Sequence, residues 1–265
     1  VHNSLYNFLQ FSEKENTIMQ IFEPFIWGFD DLEAIFFMTL LLLLYFADIP
    51  YLGNEVPFYL CRITRKIWLA GQVVYIVCAT AIYTVAILLS TILICGQRCY
   101  VGNIWSETAV KLAFTSAGKK LSLAASEKTL ELTRPYACMT TIFFLLFAYA
   151  LVMVLLIFWF RILWNELAGM IAGVVFNGIS FIFSPGILQK LLGISERKSY
   201  LANVAAGWIS PLSHATYHLH NFGYDRLPSL RDSGIYDMVL VIMLILLNLY
   251  SIRTYHFVFD GTGER

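Results

Sequence analysis

Five strongly apolar stretches of this chain contain no charged residue, and their lengths constrain its fold more than any motif does. Three of them are long enough to cross the hydrocarbon core of a bilayer, which takes about 20 mostly apolar residues as a helix. The other two reach that length only when polar end groups lie in the membrane interfaces. The five stretches are residues 34–47, 67–97, 135–160, 167–189 and 238–252.

These stretches predict an all-α fold, a polytopic transmembrane helical bundle with five visible spans. With 58% hydrophobic and 14% charged residues, the composition excludes a disordered chain, a coiled coil and an ordinary soluble enzyme. The sequence lacks strand-type alternation, which argues against a membrane β-barrel. The predicted spans are residues 32–49, 67–95, 136–160, 167–189 and 233–252.

The segments around the spans set the predicted domain organisation. An acidic, aromatic N-terminal segment is expected to lie outside the membrane or in its interface, with short amphipathic helices. The first long loop is rich in helix formers and predicts one or two helices outside the bilayer. The parts are the N-terminal segment 1–31, the membrane domain 32–258 with its connection 50–66 and long loops 96–134 and 190–232, and the tail 259–265.

The overall charge is uninformative about orientation. The 18 basic and 18 acidic residues cancel, so no basic excess favours nucleic acid as a partner. Basic residues are more numerous in the two long loops, yet Arg62, Arg65 and Lys66 adjoin a span directly, where the positive-inside rule gives charges most weight. Charge alone leaves the topology open.

Several chemistries are excluded by missing motifs. The sequence contains no Walker-type phosphate loop and no nucleophile elbow, so this chain is not expected to hydrolyse ATP or to act as a serine hydrolase. Ionisable residues are almost absent from the predicted spans, which argues against an ion-coupled carrier and a channel with a charged ring.

One cluster has an enzyme-like composition. His214 and His218 are four residues apart and would share a helix face, with His220 close by. Imidazole is the commonest zinc ligand, but a catalytic metal site also needs further ligands and a general base. The alternatives are a metal site in the His-rich loop 214–220 and a loop of interfacial aromatic residues, and the second is favoured because the motif is weak.

Glycine and cysteine spacings suggest contacts within the bundle. Gly169 and Gly173 have the spacing that lets helix backbones approach closely, within one chain or between two. Cys95, Cys99 and Cys138 fall near one membrane face. A disulfide such as Cys99–Cys138 is conceivable if that face is oxidising, and the pairing stays open.

Four segments occur in a familiar order: FADIPYL (46–52), RITRKIWLAGQVVYI (62–76), GNIWSETAVKLA (102–113) and WISPLSHA (208–215). Together they resemble the permease subunits of Firmicute ABC-2-type exporters, over roughly residues 28–258. The resemblance implies a multi-pass subunit of the cell membrane with six helices. It also implies pairing with a second permease subunit, as a homodimer or a heterodimer, and docking of a separate ATPase that carries ATP and Mg.

The resemblance also assigns candidate coupling residues. The connection 50–66 would be the main cytoplasmic element on which the ATPase docks. The alternative without a docking role is a simple interfacial turn. The turn between the third and fourth spans would be a second contact. The implied ATPase-coupling residues are Glu55, Pro57, Phe58, Tyr59, Arg62, Arg65, Lys66, Arg161 and Glu166.

Five visible spans against six in the family imply that a first helix lies upstream of Val1. That arrangement would place residues 1–31 and both long loops outside the cell and residues 259–265 in the cytoplasm. The implied cargo is hydrophobic or amphipathic: a peptide, an antibiotic or a lipid. Two other hypotheses remain: a membrane-embedded metal-dependent enzyme that uses the His-rich loop, and a non-catalytic membrane scaffold or immunity protein.

Overall fold

The computed structural model describes residues 2–50, 62–96, 99–115, 127–223 and 225–255. This part of the chain is almost wholly helical, as predicted. Its helices are α1 (His2–Glu15), α2 (Glu23–Phe29), α3 (Leu32–Tyr45), α4 (Arg65–Cys95), α5 (Glu107–Phe114), α6 (Glu127–Leu132), α7 (Pro135–Leu163), α8 (Glu166–Ile182), α9 (Pro185–Leu191), α10 (Ser199–Ile209), α11 (Pro211–Ala215) and α12 (Leu230–Ser251), with 3₁₀ turns at Glu196–Lys198 and Tyr217–Leu219.

Helix α7 is the centre of the bundle. In its most apolar window 67% of the residues are buried inside the chain, against 28% for α4 and 22% for α12. Helices α2, α3, α4, α8, α11 and α12 all pack against it. The outward faces of α4, α8 and α12 instead carry exposed Ile, Leu and Val side chains, which suit contact with lipid or with another apolar helix.

Three of the predicted spans have the length and apolar character to cross a membrane: α4, α7 and α12. This supports a transmembrane protein in general, and it does not confirm the five-span count. The predicted span 167–189 is two helices, α8 and α9, bent by 71°. The break has a local cause, because Pro185 cannot continue the helix that ends at Ile182 and instead begins the next one.

The first predicted span, residues 32–49, is also shorter than expected. Helix α3 has 14 residues and is about 21 Å long, less than the roughly 30 Å of a hydrocarbon core. Its start is set by Asp31, whose carboxylate accepts the backbone N–H of Ala34 at 3.3 Å. Its end at Tyr45 comes before Asp48, which the predicted span had included.

A small N-terminal layer lies across one end of the bundle and consists of α1, α2, α5 and two short strands. Strand β1 (Met19–Gln20) pairs in parallel with β2 (Cys99–Tyr100). Side chains add to this link, since the hydroxyls of Thr17 and Thr108 lie 2.6 Å apart. The described residues of the N-terminal segment 1–31 and of the first long loop 96–134 do contain short helices.

Gly169 and Gly173 lie where α8 crosses α7 and α3. A Cβ atom at Gly169 would come within 2.5 Å of Arg161 Cγ and 2.7 Å of the Ile157 carbonyl oxygen. A Cβ at Gly173 would come within 2.7 Å of Leu43 Cδ2. The small-residue face of α8 is therefore occupied by helices of the same chain.

This close approach predicts that a larger residue at Gly169 lowers the stability of the fold more than one at an open position of α8. Gly169→Ala is expected to lower the free energy of unfolding by about 1–3 kcal/mol, because the new methyl group meets a backbone carbonyl that cannot rotate away. Gly178→Ala is the matched control on the same helix, since nothing lies within 4 Å of its Cβ position, and it should stay within about 1 kcal/mol of wild type. Thermal unfolding in detergent micelles measures both, and equal effects would contradict the packing described.

Candidate functional site

The two ends of the bundle differ sharply in chemistry. One end, called here the basic end, carries Arg62, Arg65 and Lys66 at the start of α4. The other, called the disulfide end, carries the Cys95–Cys99 disulfide at the end of the same helix. Helices α7 and α12 run from the disulfide end to the basic end, and α8 begins at the basic end.

At the basic end, Arg161 is hydrogen-bonded to backbone carbonyls that come just before the connection 50–66 in the sequence. Its Nη1 lies 3.1, 2.6 and 2.5 Å from the carbonyl oxygens of Phe46, Ala47 and Ile49. These carbonyls follow the last turn of α3, beyond the regular helical hydrogen bonds, and that of Phe46 also accepts the backbone N–H of Ile49 at 3.3 Å. The Arg161 side chain is buried, and its Nη2 also lies 3.4 Å from the exposed carboxylate of Glu166. The turn between α7 and α8 is thus joined to the end of α3.

Arg65 makes a comparable link between α4 and α12. Its Nη1 donates to the carbonyl oxygen of Arg253 at 2.5 Å and lies 3.4 Å from that of Ile252, just beyond the end of α12. Thr64 caps α4 by accepting the backbone N–H of Ile67. An open cleft of about 520 Å³ lies between the start of α4 and the end of α12. It is lined by Thr64, Arg65, Lys66, Ile252 and Arg253.

The predicted coupling residues therefore lie in different structural environments. Arg62 and Lys66 are exposed at the basic end, as a docking role requires. Arg65 and Arg161 bind backbone carbonyls of their own chain, so any coupling through Arg161 would be indirect. Four further candidates lie outside the described residues: Glu55, Pro57, Phe58 and Tyr59.

At the disulfide end, the structure resolves the pairing that the sequence left open, and it is not Cys99–Cys138. The disulfide joins Cys95 and Cys99, whose Cα atoms are 6.3 Å apart across the short link from α4 to β2. Cys138 is a buried free thiol in the first turn of α7. Four residues of sequence separation bring Cys95 and Cys99 together, whereas Cys138 is covered by the packing of α7.

Glu23 is a buried carboxylate that ties the N-terminal layer together. Its Oε1 accepts the backbone N–H of Ser106 at 2.7 Å, and its Oε2 accepts the Ser106 hydroxyl at 2.5 Å and the backbone N–H of Gln20 at 3.2 Å. Burial raises the pKa of Glu23 to about 7, although the hydrogen bonds from Ser106 and Gln20 act in the opposite direction.

The fully buried Asp30 forms a second pair with the half-buried His218. The backbone N–H of His218 donates to Asp30 Oδ1 at 2.7 Å, and His218 Nδ1 lies 2.8 Å from the Asp30 carbonyl oxygen. Burial raises the pKa of Asp30, with the hydrogen bond and charge of His218 opposing it. Burial also opposes a charge on His218, but its hydrogen bond to Asp30 and the charge of Asp30 outweigh that and raise the pKa of His218.

The other two histidines of the 214–220 loop share a different partner. His214 Nδ1 and His220 Nε2 each lie 2.8 Å from the hydroxyl oxygen of Ser233, in the first turns of α12. His214 and His220 thus converge on Ser233, whereas His218 faces Asp30, so the three imidazoles do not share one centre. Within the part of the chain that the structure describes, no group of three or more His, Cys, Asp or Glu side chains is placed to hold a metal ion.

Polar side chains also occur deep inside the bundle. Tyr149 donates its hydroxyl to Asn177 Oδ1 at 2.6 Å, and Asn177 Nδ2 donates to the Thr39 hydroxyl at 2.9 Å, which ties α3, α7 and α8 together. Asp237 is buried in α12, and its Oδ2 has no hydrogen-bond partner among the described residues. Intramembrane carboxylates of this kind mark functional positions more often than structural ones.

Sequence reasoning missed Glu23, Asp30, Ser233 and Asp237. For Asp237 a signal was present, since it is a single acid followed directly by the apolar run MVLVIML. The other three carry no local pattern, because their partners are distant in sequence.

Comparison of this chain with models of known protein families, with curated proteins and with solved structures gives no match.

Proposed function

We propose that this chain is the transmembrane permease subunit of an ATP-driven ABC exporter in the cell membrane. It would pair with a second permease subunit and receive energy from a separate ATPase that binds ATP and Mg. The cargo would be hydrophobic or amphipathic, such as a peptide, an antibiotic or a lipid, and would move outward by alternating access. The four segments that resemble ABC-2-type permeases support this proposal, and so does the layout of the basic end.

The observation that carries the proposal is the linkage of helices at the basic end. Arg161 binds the carbonyls of Phe46, Ala47 and Ile49, so the α7–α8 turn and the start of the connection 50–66 are held as one unit. Arg65 joins the start of α4 to the end of α12. A push on this face would reach α3, α4, α7, α8 and α12 together, which is what rigid-body rocking of a transmembrane half requires.

The disulfide supports the proposed orientation. Disulfides persist in oxidising compartments and are rare in the cytosol. The Cys95–Cys99 end of α4 is therefore assigned to the outside, together with the N-terminal layer and the 190–232 loop. Helix α4 then places Arg62, Arg65 and Lys66 in the cytoplasm, in agreement with the positive-inside rule for charges next to a span.

Reversing the exposed charges at the basic end should release the ATPase. In the double variant Arg62→Glu, Lys66→Glu, co-purification of the ATPase with the tagged chain is expected to fall about tenfold or more, because two exposed cations become repulsive to an acidic docking surface. Arg65 is left unchanged, since its bond to Arg253 holds α4 to α12. Quantitative immunoblotting of the eluate measures the ratio of the two subunits.

The matched control reverses two exposed cations on the other side of α8, in the double variant Lys190→Glu, Arg197→Glu. These residues lie in the loop assigned to the outside, so the amount of bound ATPase should not change. Equal retention of the ATPase by both double variants would overturn the coupling assignment.

A further inference from the structure

Ser233 lies between two imidazoles in a fully buried site at the disulfide end. Its hydroxyl oxygen is 2.8 Å from His214 Nδ1 and 2.8 Å from His220 Nε2. Ser233, His214 and His220 are each at most 1% exposed. Water therefore does not reach these contacts, and every hydrogen bond among them has to be made by the protons of the three side chains.

The outer nitrogen of each imidazole faces a backbone carbonyl. His214 Nε2 lies 3.2 Å from the Trp208 carbonyl oxygen, and His220 Nδ1 lies 3.1 Å from that of Tyr217. A carbonyl oxygen can only accept, so these two nitrogens carry hydrogen. A neutral imidazole has a single N–H, and both nitrogens that face Ser233 are therefore bare acceptors.

A proton is missing from this arrangement. Two neutral imidazoles and one hydroxyl supply three protons for four contacts, so Ser233 can donate to only one of its two histidines. One additional proton on either imidazole completes all four contacts. A second would leave the Ser233 hydroxyl without an acceptor and place two positive charges side by side. We infer that His214, Ser233 and His220 form a binding site for one proton.

The surroundings set the range in which the site fills. Asp232, beside Ser233 on α12, favours a charge on His214, and the Tyr236 ring stacks on His214 at 4.2 Å. His218, paired with Asp30, repels a charge on His220. Burial lowers the pKa of both imidazoles, that of His220 to about 4, so the proton is taken up on the acid side of the usual imidazole range.

The bound proton would join three segments at the disulfide end of the bundle. His214 lies on α11, His220 follows the 3₁₀ turn Tyr217–Leu219, and Ser233 lies near the start of α12. When all four hydrogen bonds are made, α11 and the segment that carries His220 are both held to α12. Without the added proton, one of the two histidines has no hydrogen bond to Ser233. This site goes beyond the proposed transport function and does not depend on it.

Solution NMR of the full chain in micelles, with ¹⁵N-labelled histidine, tests the site directly. At pH near 8 the ¹⁵N shifts should show hydrogen on Nε2 of His214 and on Nδ1 of His220, with the two nitrogens that face Ser233 bare. Titration down to about pH 4 should then show uptake of one proton shared by the pair. Uptake of two protons, uptake of none, or the opposite tautomers would overturn the inference.

Two variants test the role of the hydroxyl. Ser233→Ala removes the atom that accepts the added N–H, so the pair should bind its proton at least about tenfold more weakly, a downward shift of one pKa unit. Ser233→Thr keeps the hydroxyl and should titrate like wild type. An unchanged or raised pKa in Ser233→Ala would contradict the inference. Should Ser233→Ala fail to fold, the proton count in the wild-type chain decides the question by itself.

Discussion

Replacing Arg161 with leucine is expected to lower the free energy of unfolding by about 3–5 kcal/mol, the largest effect of any single change at the basic end. The guanidinium supplies hydrogen bonds to the carbonyls of Phe46, Ala47 and Ile49 beyond the last turn of α3. Leucine fills part of the space but donates nothing, so the carbonyls of Ala47 and Ile49 lose the hydrogen bonds from Arg161, and that of Phe46 keeps only the one from the Ile49 N–H. Chemical or thermal unfolding in micelles measures the loss.

Two controls separate the carbonyl bonds from simple ion pairing. Glu166→Gln removes the carboxylate 3.4 Å from Arg161 Nη2, but Glu166 is 65% exposed, and its change should cost less than about 1 kcal/mol. Arg161→Lys keeps the charge but has a single ammonium in place of the planar fork, so it should recover only part of the stability. A loss in Glu166→Gln as large as that in Arg161→Leu would show that the ion pair is the main contribution.

Glu23 is expected to make the N-terminal layer less stable as the pH rises through about 7. Its pKa is raised from 4.5 to about 7 in the folded chain, so the folded state binds a proton that the unfolded state has released. The stabilising contribution is full below about pH 4.5 and is lost as the pH rises through 7. A shift of this size corresponds to about 3 kcal/mol.

Glu23→Gln should remove most of this pH dependence, because an amide does not titrate. Between about pH 5 and 8.5, the apparent melting temperature of wild type should fall relative to that of the variant. Glu107→Gln is the matched control in the same layer, since Glu107 is 68% exposed and pairs with Lys111 in a surface (i, i+4) contact. A wild-type profile that Glu23→Gln leaves unchanged would contradict the role given to Glu23.

The hydropathy pattern predicted the long helices well, but it does not show where a residue such as proline ends a helix. Helices α4, α7 and α12 follow from the charge-free stretches, because a long apolar run with no helix breaker has few alternatives in a bilayer. The stretch 167–189 was taken as one span because its apolar character is continuous across Pro185. The proline ring overrides hydropathy there, and the chain bends by 71°.

The candidate sites were only partly predictable, for a different reason. Arg161 was predicted to touch a partner, yet it binds carbonyls more than a hundred positions earlier in the chain, and backbone carbonyls leave no mark in a sequence. Glu23 meets Ser106, and Asp30 meets His218, only after the bundle has assembled. The spacing of His214, His218 and His220 left a shared metal open as an alternative, but the helix ends at Ala215, and His218 turns to Asp30 while the other two imidazoles meet at Ser233.

The buried polar groups of the membrane domain fit the proposed mechanism. The Tyr149–Asn177–Thr39 chain ties α3, α7 and α8 into one unit, and the Arg161 contacts repeat that tie at the basic end. Hydrogen bonds between helices in lipid are worth about 1 kcal/mol each, enough in sum to make the unit move as a body. Its weakly covered neighbours α4 and α12 then offer the apolar surfaces along which a second permease subunit would rock.

The most direct test of the permease assignment is co-expression of this chain with its neighbouring reading frames, followed by purification and reconstitution into liposomes. We expect an ATPase with a phosphate loop to co-purify in a fixed ratio. We also expect its hydrolysis of ATP to change several-fold when the chain is present, since coupling through the basic end links turnover to the transmembrane helices. Recovery of the chain without any ATPase, or a turnover that is the same with and without it, would contradict the assignment.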